Sequence, residues 1–286
     1  MESNWEDPLI ILNRLRVQTH SLRNLLAGHP AFLIGGGPSA NDLPLELLGT
    51  RGIWSICVNN SAGHPRIRPQ AFVCSDPPKK FSHSIWLDPG IMKFVPSPKM
   101  NGRRSRLRQR KDGVFTDLAE TVTAMPNVWG FQRNSWLYPD DRFFSDPGAC
   151  WGNHEAGSKT TGQPKTVCTM LLALRLLYYL GARRIYLVGV DFLMTPERGY
   201  SFNQGRDKGA SDSNNTIFTT VNQWLVEMMA NGTFSRFGCE VYNCYEFSGL
   251  RAFSYVPFED AIADARGIIE QVPDLAHWYD PEEAKK

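Results

Sequence analysis

A short apolar run, Ala31–Ile34, leads directly into Gly35, Gly36, Gly37, Pro38 and Ser39. An apolar run of this length that ends in glycine is typical of a buried strand. Glycines at the end of a strand let a ligand approach the backbone, and exposed N–H groups there suit a phosphate. The turn lacks the last glycine of the dinucleotide fingerprint and the Gly-Lys-Ser/Thr of a Walker loop. It therefore predicts a nucleotide site of another type, with a ligand-free glycine turn as the alternative.

Further apolar runs follow, and each of them ends in polar residues or glycine. The predicted strands cover residues 31–34, 52–58, 71–75, 127–131, 184–190 and 240–244. A mostly apolar helix is predicted over 167–180, directly before the strand at 184–190. This alternation predicts an α/β fold with a Rossmann-like, doubly wound, mostly parallel sheet. In such a sheet the carboxyl ends of the strands line a ligand crevice.

The remaining stretches are predicted from their periodicity and turn residues. Apolar positions spaced as in a helix predict one over 8–27, which stops at Gly28. A loop is predicted over 199–215, followed by helices over 216–230 and 258–271. The irregular stretch 79–160 predicts a lid or insertion. With 286 residues, the chain is predicted to be a single nucleotide-binding α/β domain, residues 1–286.

Composition limits the kinds of partner and the cellular compartment that the chain suits. The formal net charge is +2, so affinity for an anionic polymer has to come from a local patch. The six cysteines contain no Cys-x-x-Cys pair, which favours free thiols in a reducing compartment. The first residues lack the features of a signal peptide, and no apolar stretch is as long as a membrane span. We therefore expect a cytoplasmic protein.

Five residues at strand ends and before the buried helix are candidates for nucleotide binding. In a parallel sheet Asn59 and Asp76 would share a crevice with the glycine turn, although both residue types are common in ordinary turns. Thr161 and Gly162 precede the buried helix, and Asp191 follows the strand at 184–190. Asp191 could accept a hydrogen bond from a ribose or a base, or hold a metal. The chain has no Asp-x-Asp motif, which favours a metal-independent site.

Together, the glycine turn, Asn59, Thr161-Gly162 and the segment 180–192 resemble the bacterial lipooligosaccharide sialyltransferases. They resemble equally the related 6-hydroxymethylpterin diphosphokinase-like family. The resemblance covers a little under half of the chain, residues 31–62 and 158–245. It implies that the glycine turn, Asn59 and Thr161-Gly162 hold a nucleotide, as they hold a CMP-sugar in the sialyltransferases.

The same resemblance implies catalytic residues, with two departures from the family pattern. Tyr200 corresponds to a tyrosine that stabilises the departing phosphate, whereas the second such tyrosine falls at Leu193, which has no hydroxyl. The histidine general base of the family falls at Asp212. A carboxylate can replace an imidazole if burial or a neighbour raises its pKa; the alternative is a loop residue or a helix cap. His154 is the second candidate base, with a solvated loop histidine as its alternative.

A basic run at 99–111 contains seven cationic residues. Arg103, Arg104, Arg106 and Arg108 are its candidates for contacting an anionic acceptor, because guanidinium groups form bidentate contacts with phosphate. The alternative is a solvated, flexible loop.

These features predict a metal-independent glycosyltransferase that moves a sugar from a nucleotide-activated donor to a hydroxyl. No cofactor is expected besides this co-substrate, which would be linked to CMP or UDP. Asp212 would be the base, and Tyr200 with Arg198 or Lys208 would neutralise the leaving phosphate. The resemblance implies a surface glycan as acceptor, whereas hydroxymethylated DNA would better explain the arginine run.

Two other functions remain open from the sequence. One is a diphosphokinase-like enzyme that binds ATP and Mg²⁺ through Asp191 and Asp76, and the other is a nucleotide-binding module without catalysis. The sequence does not determine the sugar, the acceptor or the oligomeric state.

Overall fold

The computed structural model describes residues 9–11, 22–96, 106–111, 114–131, 139–145, 168–195, 197, 199–201 and 208–267. Its strands are β1 (Leu9–Ile11), β2 (Ala31–Ile34), β3 (Trp54–Val58), β4 (Ala71–Val73), β5 (Met92–Pro96), β6 (Arg106–Lys111), β7 (Val114–Thr121), β8 (Val128–Phe131), β9 (Arg184–Val188), β10 (Glu240–Asn243) and β11 (Ser254–Tyr255). Its helices are α1 (His83–Leu87), α2 (Arg142–Ser145), α3 (Thr169–Tyr179), α4 (Lys208–Ala230), α5 (Thr233–Arg236) and α6 (Phe258–Gly267).

Nine of these strands form one sheet in the order β1-β8-β5-β4-β3-β2-β9-β10-β11. Every neighbouring pair is parallel except β1 and β8, which are antiparallel. Strands β6 and β7 form a separate antiparallel hairpin. The predicted α/β fold with a mostly parallel sheet is confirmed, and β4, β3, β2 and β9 are consecutive neighbours in the sheet.

Helices cover both faces of the sheet, which explains why its central strands are largely apolar. Along β2, Leu33 packs into the cluster that contains α3 and the buried side chains of α4. Its neighbours Phe32 and Ile34 pack on the opposite face, in the cluster that contains α6 and Trp86 of α1. Side chains of a strand alternate between the two faces, so β2 contributes to both cores.

The prediction of a helix over 8–27 is wrong for the residues of this range that the structure describes. Residues 9–11 form β1, which pairs with β8 at the edge of the sheet, and residues 23–28 form turns. The backbone N–H groups of Asn24 and Leu26 donate to the carbonyls of Tyr179 and Leu180, so the end of α3 fixes these turns. A Leu-Ile-Ile run suits a strand as well as a helix, and the edge of β8 offers backbone partners. Residues 12–21 lie outside the described ranges.

The loop predicted over 199–215 is also wrong in its second half, because α4 begins at Lys208. Asp212 therefore lies on a helix. The first turns of α4 are rich in Gly, Ser and Asn, which have weak helix propensity. Tertiary contacts outweigh that preference here, since Ser211 is buried and Asn215 bonds to the loop after β9.

The stretch predicted as a lid or insertion, 79–160, contains two strands of the main sheet, β5 and β8. Only β8 was expected from the sequence. Strand β5 was missed because it contains Lys93, whose side chain is fully buried. Its ammonium donates to the carbonyls of Asp88 and Pro126. For the rest of the stretch the lid stays a prediction.

The five cysteines in the described ranges are free thiols, and four of them are buried. No helix within the same ranges is both long enough and apolar enough to cross a bilayer.

Candidate active site

A cavity of about 1230 Å³ opens at the carboxyl ends of β2, β3, β4 and β9. The segments that follow these four strands form its floor. Side chains of α1, α4 and β6 contribute to its walls. This is the crevice that a parallel sheet provides for ligands.

The glycine turn is held by the loop that follows β9. The N–H of Gly35 donates to the carbonyl of Val188 at 2.7 Å, and the N–H of Gly37 donates to the carbonyl of Gly189 at 2.7 Å. A Cβ at position 35 would stand 2.4 Å from the oxygen of Gly189, and one at position 37 would stand 2.3 Å from Oδ1 of Asp191. Glycine is therefore required at both positions by the packing of the two loops.

Asp191 is the second link between the loops. The residue is 8% exposed, and its carboxylate accepts from the backbone N–H of Ser39 at 3.0 Å and from the Ser39 hydroxyl. The N–H of Ala40 donates to the carbonyl of Gly37, and Pro38 has no N–H. The expectation that this turn exposes several N–H groups to a phosphate is therefore wrong. Between residues 35 and 40, the N–H of Gly36 is the one without a hydrogen bond to the described part of the chain.

A chain of three polar side chains crosses the floor of the cavity. The amide nitrogen of Asn59 donates to Oγ1 of Thr169 at 3.1 Å, and this hydroxyl lies 2.7 Å from Oγ of Ser75. Asn59 has a positive φ of 52°, a conformation that asparagine tolerates better than most residues. Its buried Oδ1 finds no hydrogen-bond donor among the described residues. Because an unsatisfied buried acceptor is costly, this oxygen is suited to a donor group of a ligand.

Apolar and aromatic side chains form the wall of the cavity beside β9. The rings of Phe192 and Phe218 are stacked, with centroids 4.7 Å apart and an angle of 21° between them. Phe192 also has a positive φ of 51°, which is strained for an aromatic residue. The neighbouring Met194 is fixed by Asn215, whose side chain bonds both the N–H and the carbonyl of Met194, at 2.9 and 2.8 Å.

The opposite wall, beside β4, is polar and cationic. Lys80 forms an ion pair with Asp76 at 3.0 Å, and Arg108 of β6 forms one with Asp117 at 3.1 Å. Helix α1 contributes His83 to this wall. The remaining polar residues of the wall are Lys79, Ser82, Ser84 and Gln109.

The structure brings many of the predicted site residues to this cavity. Those that line it are Gly35, Gly36, Gly37, Asn59, Asp76, Asp191, Tyr200 and Arg108. Pro38 and Ser39 follow in a 3₁₀ turn, and Arg106 is exposed on β6; the described lining of the cavity does not include these three. Six predicted residues lie outside the described ranges, namely His154, Thr161, Gly162, Arg103, Arg104 and Arg198.

Asp212, the predicted base, is exposed and does not belong to the described lining of the cavity. On α4 the lining residues are Asn214, Ile217 and Phe218, which share one face of the helix. At 3.6 residues per turn, Asp212 stands about 200° around the helix axis from Asn214. A carboxylate in the predicted loop was free to face the crevice, whereas the helix turns this side chain away.

Several residues that shape the site were not predictable from the patterns considered above. Ser75 stands next to Asp76 at the end of β4, and this adjacency was the available signal. His83 follows seven residues later, in the stretch that was interpreted as a lid. Thr169 begins α3, and a hydroxyl at a helix start commonly serves as a cap. Asn215 gave no signal, because its partner Met194 is distant in the sequence.

No family model matches this chain, and no curated protein sequence matches it. Among solved structures, it is similar to the sialyltransferase CstII from Campylobacter jejuni in complex with a substrate analogue, cytidine-5'-monophosphate. The identity is 12%, the TM-score is 0.42, and the match covers 81% of this chain and 86% of the other. A CstII complex with CMP-3FNeuAc gives 13% identity, a TM-score of 0.41 and coverage of 79% and 86%.

A MAf glycosyltransferase from Magnetospirillum magneticum AMB-1 gives 11% identity and a TM-score of 0.42, over 87% of this chain and 40% of that one. These structural neighbours are glycosyltransferases. At such scores the likeness carries no argument about the substrates of this chain, which have to be inferred from the cavity itself.

Proposed function

We propose that this protein transfers a sugar from a nucleotide-activated donor to a hydroxyl acceptor, without a resident metal ion. The observation that carries the proposal is the cavity at the strand ends, with an aromatic wall on the β9 side and a cationic wall on the β4 side. Two walls of different chemistry suit two substrates of different chemistry.

The dimensions of the cavity support two substrates. From β4 to β9 the sheet order crosses three inter-strand spacings, which at roughly 4.8 Å each amount to about 14 Å. The volume of 1230 Å³ exceeds the roughly 300–1,000 Å³ that is typical of a site for one small ligand. A nucleotide on one side therefore leaves room for an acceptor on the other.

The donor belongs on the side of β2, β3 and β9. Oδ1 of Asn59 would accept a hydrogen bond from a ribose hydroxyl or a base amino group, which would supply the donor that this buried oxygen lacks. The apolar wall around Phe192 and Phe218 offers surface for a flat base. The hydroxyl of Tyr200 and the N–H of Gly36 would donate to the phosphate, and the leaving charge would develop there. A donor linked to CMP or UDP fits this assignment.

Metal independence is part of the proposal. The two carboxylates on the described lining already have protein partners, Lys80 for Asp76 and Ser39 for Asp191. The described residues contain no group of three or more His, Cys, Asp and Glu side chains that could hold a metal ion. We further propose an anionic acceptor, a glycan or hydroxymethylated DNA, and a cytoplasmic location in keeping with the free thiols.

Thermal unfolding with nucleotides tests this function. CMP, UDP, GDP and ATP are added separately at millimolar concentration, with Mg²⁺ or with EDTA. We expect one pyrimidine nucleotide to raise the Tm equally in both conditions, because a ligand at 100 times its Kd adds about 2.7 kcal/mol to the free energy of unfolding. Asn59→Ala should remove most of this shift. Asn231→Ala, at an exposed position after α4, is the matched control and should retain it.

Two results would contradict the proposal. A shift produced by ATP only in the presence of Mg²⁺ would favour a diphosphokinase-like enzyme. The absence of a shift with every nucleotide would remove the assignment of the cavity to a nucleotide.

A further inference from the structure

We propose that His83 is the general base that takes the proton from the acceptor hydroxyl, which places the acceptor on the β4 side of the cavity. This inference rests on the proposed function. It adds a catalytic residue that neither the sequence pattern nor the resemblance indicated.

His83 is presented to the cavity by a firmly anchored element. It is the first residue of α1, and the same short helix carries Ile85 and Trp86 into the core. Trp86 is fully buried and makes an edge-to-face contact with Phe72 of β4, with ring centroids 5.5 Å apart. Because α1 is fixed to the sheet in this way, the position of the imidazole is defined by the core.

The imidazole has a ring nitrogen that the protein does not use. Nε2 of His83 is buried and finds no hydrogen-bond partner among the described residues. The two adjacent hydroxyls, of Ser82 and Ser84, bond to each other at 2.8 Å. A general base needs an unoccupied lone pair, and an imidazole nitrogen that no described protein group uses could supply one to an acceptor hydroxyl bound beside His83.

The other ionisable groups on the cavity wall are less suited to this role. The carboxylates of Asp76 and Asp191 are engaged by Lys80 and Ser39. Burial raises the pKa of the Cys168 thiol, which keeps it protonated. His83 is the one histidine on the described lining. Asp212 faces away from the cavity.

The proposed step is a direct displacement at the anomeric carbon. The acceptor oxygen forms a bond to this carbon while its proton passes to a ring nitrogen of His83. The bond from the anomeric carbon to the phosphate oxygen breaks, and its electron pair leaves with the nucleotide. Lys79, Lys80 and Arg108 line the same cavity as His83, so an acceptor with an anionic group near its hydroxyl would be attracted to this wall.

The test measures nucleotide release from CMP-N-acetylneuraminate, UDP-glucose, UDP-N-acetylglucosamine and GDP-mannose, first with water as the acceptor and then with sodium azide. Azide attacks without losing a proton, so it needs no base. We expect His83→Ala and His83→Gln to lower hydrolysis about 100-fold or more, with the nucleotide-induced Tm shift unchanged. Azide should restore nucleotide release in His83→Ala and yield a glycosyl azide, detected by mass spectrometry. His29→Ala, outside the described lining, is the matched control.

Each remaining outcome overturns the assignment. Wild-type hydrolysis by both His83 variants would remove His83 from the mechanism, and a loss confined to Asp212→Asn would make Asp212 the base. Failure of azide to rescue His83→Ala, or loss of its Tm shift, would indicate a structural role. If the wild-type protein releases nucleotide from none of the four donors, the proposed function fails first, and this inference falls with it.

Discussion

Gly37 lies against the carboxylate of Asp191 and the backbone of Gly189, and the room for this contact exists because position 37 has no side chain. Its backbone is in an ordinary extended conformation, with φ of −68°, so the requirement for glycine is steric. The same carboxylate holds Ser39. A substitution at position 37 would therefore disturb the turn and its anchor together.

We predict that Gly37→Ala lowers the free energy of unfolding by about 1–3 kcal/mol, the usual cost of overpacking. Gly49→Ala is the control, because a Cβ there would meet nothing within 4 Å. It should leave the stability within about 0.5 kcal/mol of the wild type. Urea denaturation of both variants measures the difference. Equal midpoints would show that the turn can rearrange around a methyl group.

The positions of single residues were predictable where the direction of the strands alone determines the edge of the sheet at which a residue lies. Asn59, Asp76 and Asp191 each follow a strand, and parallel strands bring such residues to one edge of the sheet. Asp212 was not predictable in this way, because its direction depends on the helical phase of α4. The internal bonding of the glycine turn was not predictable either, because the partners of Gly37 and Ser39 are some 150 residues away in the chain.

At the scale of elements, the β6–β7 hairpin contributes Arg108 to the cationic wall of the cavity. The hairpin packs on the turn Pro78–Lys80 and on α1. Leu107 is fully buried, whereas Arg106 is exposed and Arg108 lines the cavity. Asp117 neutralises part of this charge across the strand pair.

We predict that neutralising Arg106 and Arg108 to glutamine weakens binding of a labelled DNA duplex or of heparin. The slope of log Kd against log salt should fall by roughly 1–2, close to 0.9 for each lost phosphate contact on DNA. Adding Arg103→Gln and Arg104→Gln should extend the loss. Arg51→Gln with Arg251→Gln, two exposed positions away from the described lining of the cavity, is the matched control. An unchanged slope would leave the basic run a solvated surface.

Elements were predictable from the sequence wherever local pattern and tertiary environment agree. Strands β2, β3 and β9 are largely apolar and buried, and they were expected within a few residues of their observed bounds. Strand β5 contains a buried lysine, so its sequence resembles that of a surface segment. The lysine can be buried because its ammonium donates to the carbonyls of Asp88 and Pro126. The start of α4 is set by contacts with the loop after β9, which no local pattern records.

For the molecule as a whole, buried thiols make the fold sensitive to alkaline pH. Burial raises the pKa of Cys57, Cys239 and Cys244 from 9 to about 12. Between pH 9 and pH 12 the unfolded chain loses these protons while the folded chain keeps them, so stability falls as the pH rises. Lys93 acts in the opposite direction, because burial lowers its pKa from 10.5 to about 8. Between these two pH values the unfolded chain binds this proton and the folded chain does not, so the contribution of Lys93 to stability rises with pH.

We predict that each of the three thiols costs about 1 kcal/mol of stability between pH 9 and pH 10. A variant with Cys57, Cys239 and Cys244 changed to alanine will be less stable at pH 7.5, because cavities remain. Its free energy of unfolding should nevertheless fall less steeply with pH than that of the wild type. Urea titrations under reducing conditions give both slopes. Parallel slopes would assign the alkaline sensitivity to other groups.

The mutual locking of the glycine turn and the loop after β9 bears on how the preference for the proposed donor could be altered in this scaffold. Neither segment can accept a larger residue at its contact points without displacing the other, so single changes there are expected to damage folding before they change selectivity. Residues 192–194, together with the facing side of α4, are not bound by this constraint. A library that varies that wall and preserves the two interlocked turns would therefore retain more folded members while it samples new ligands.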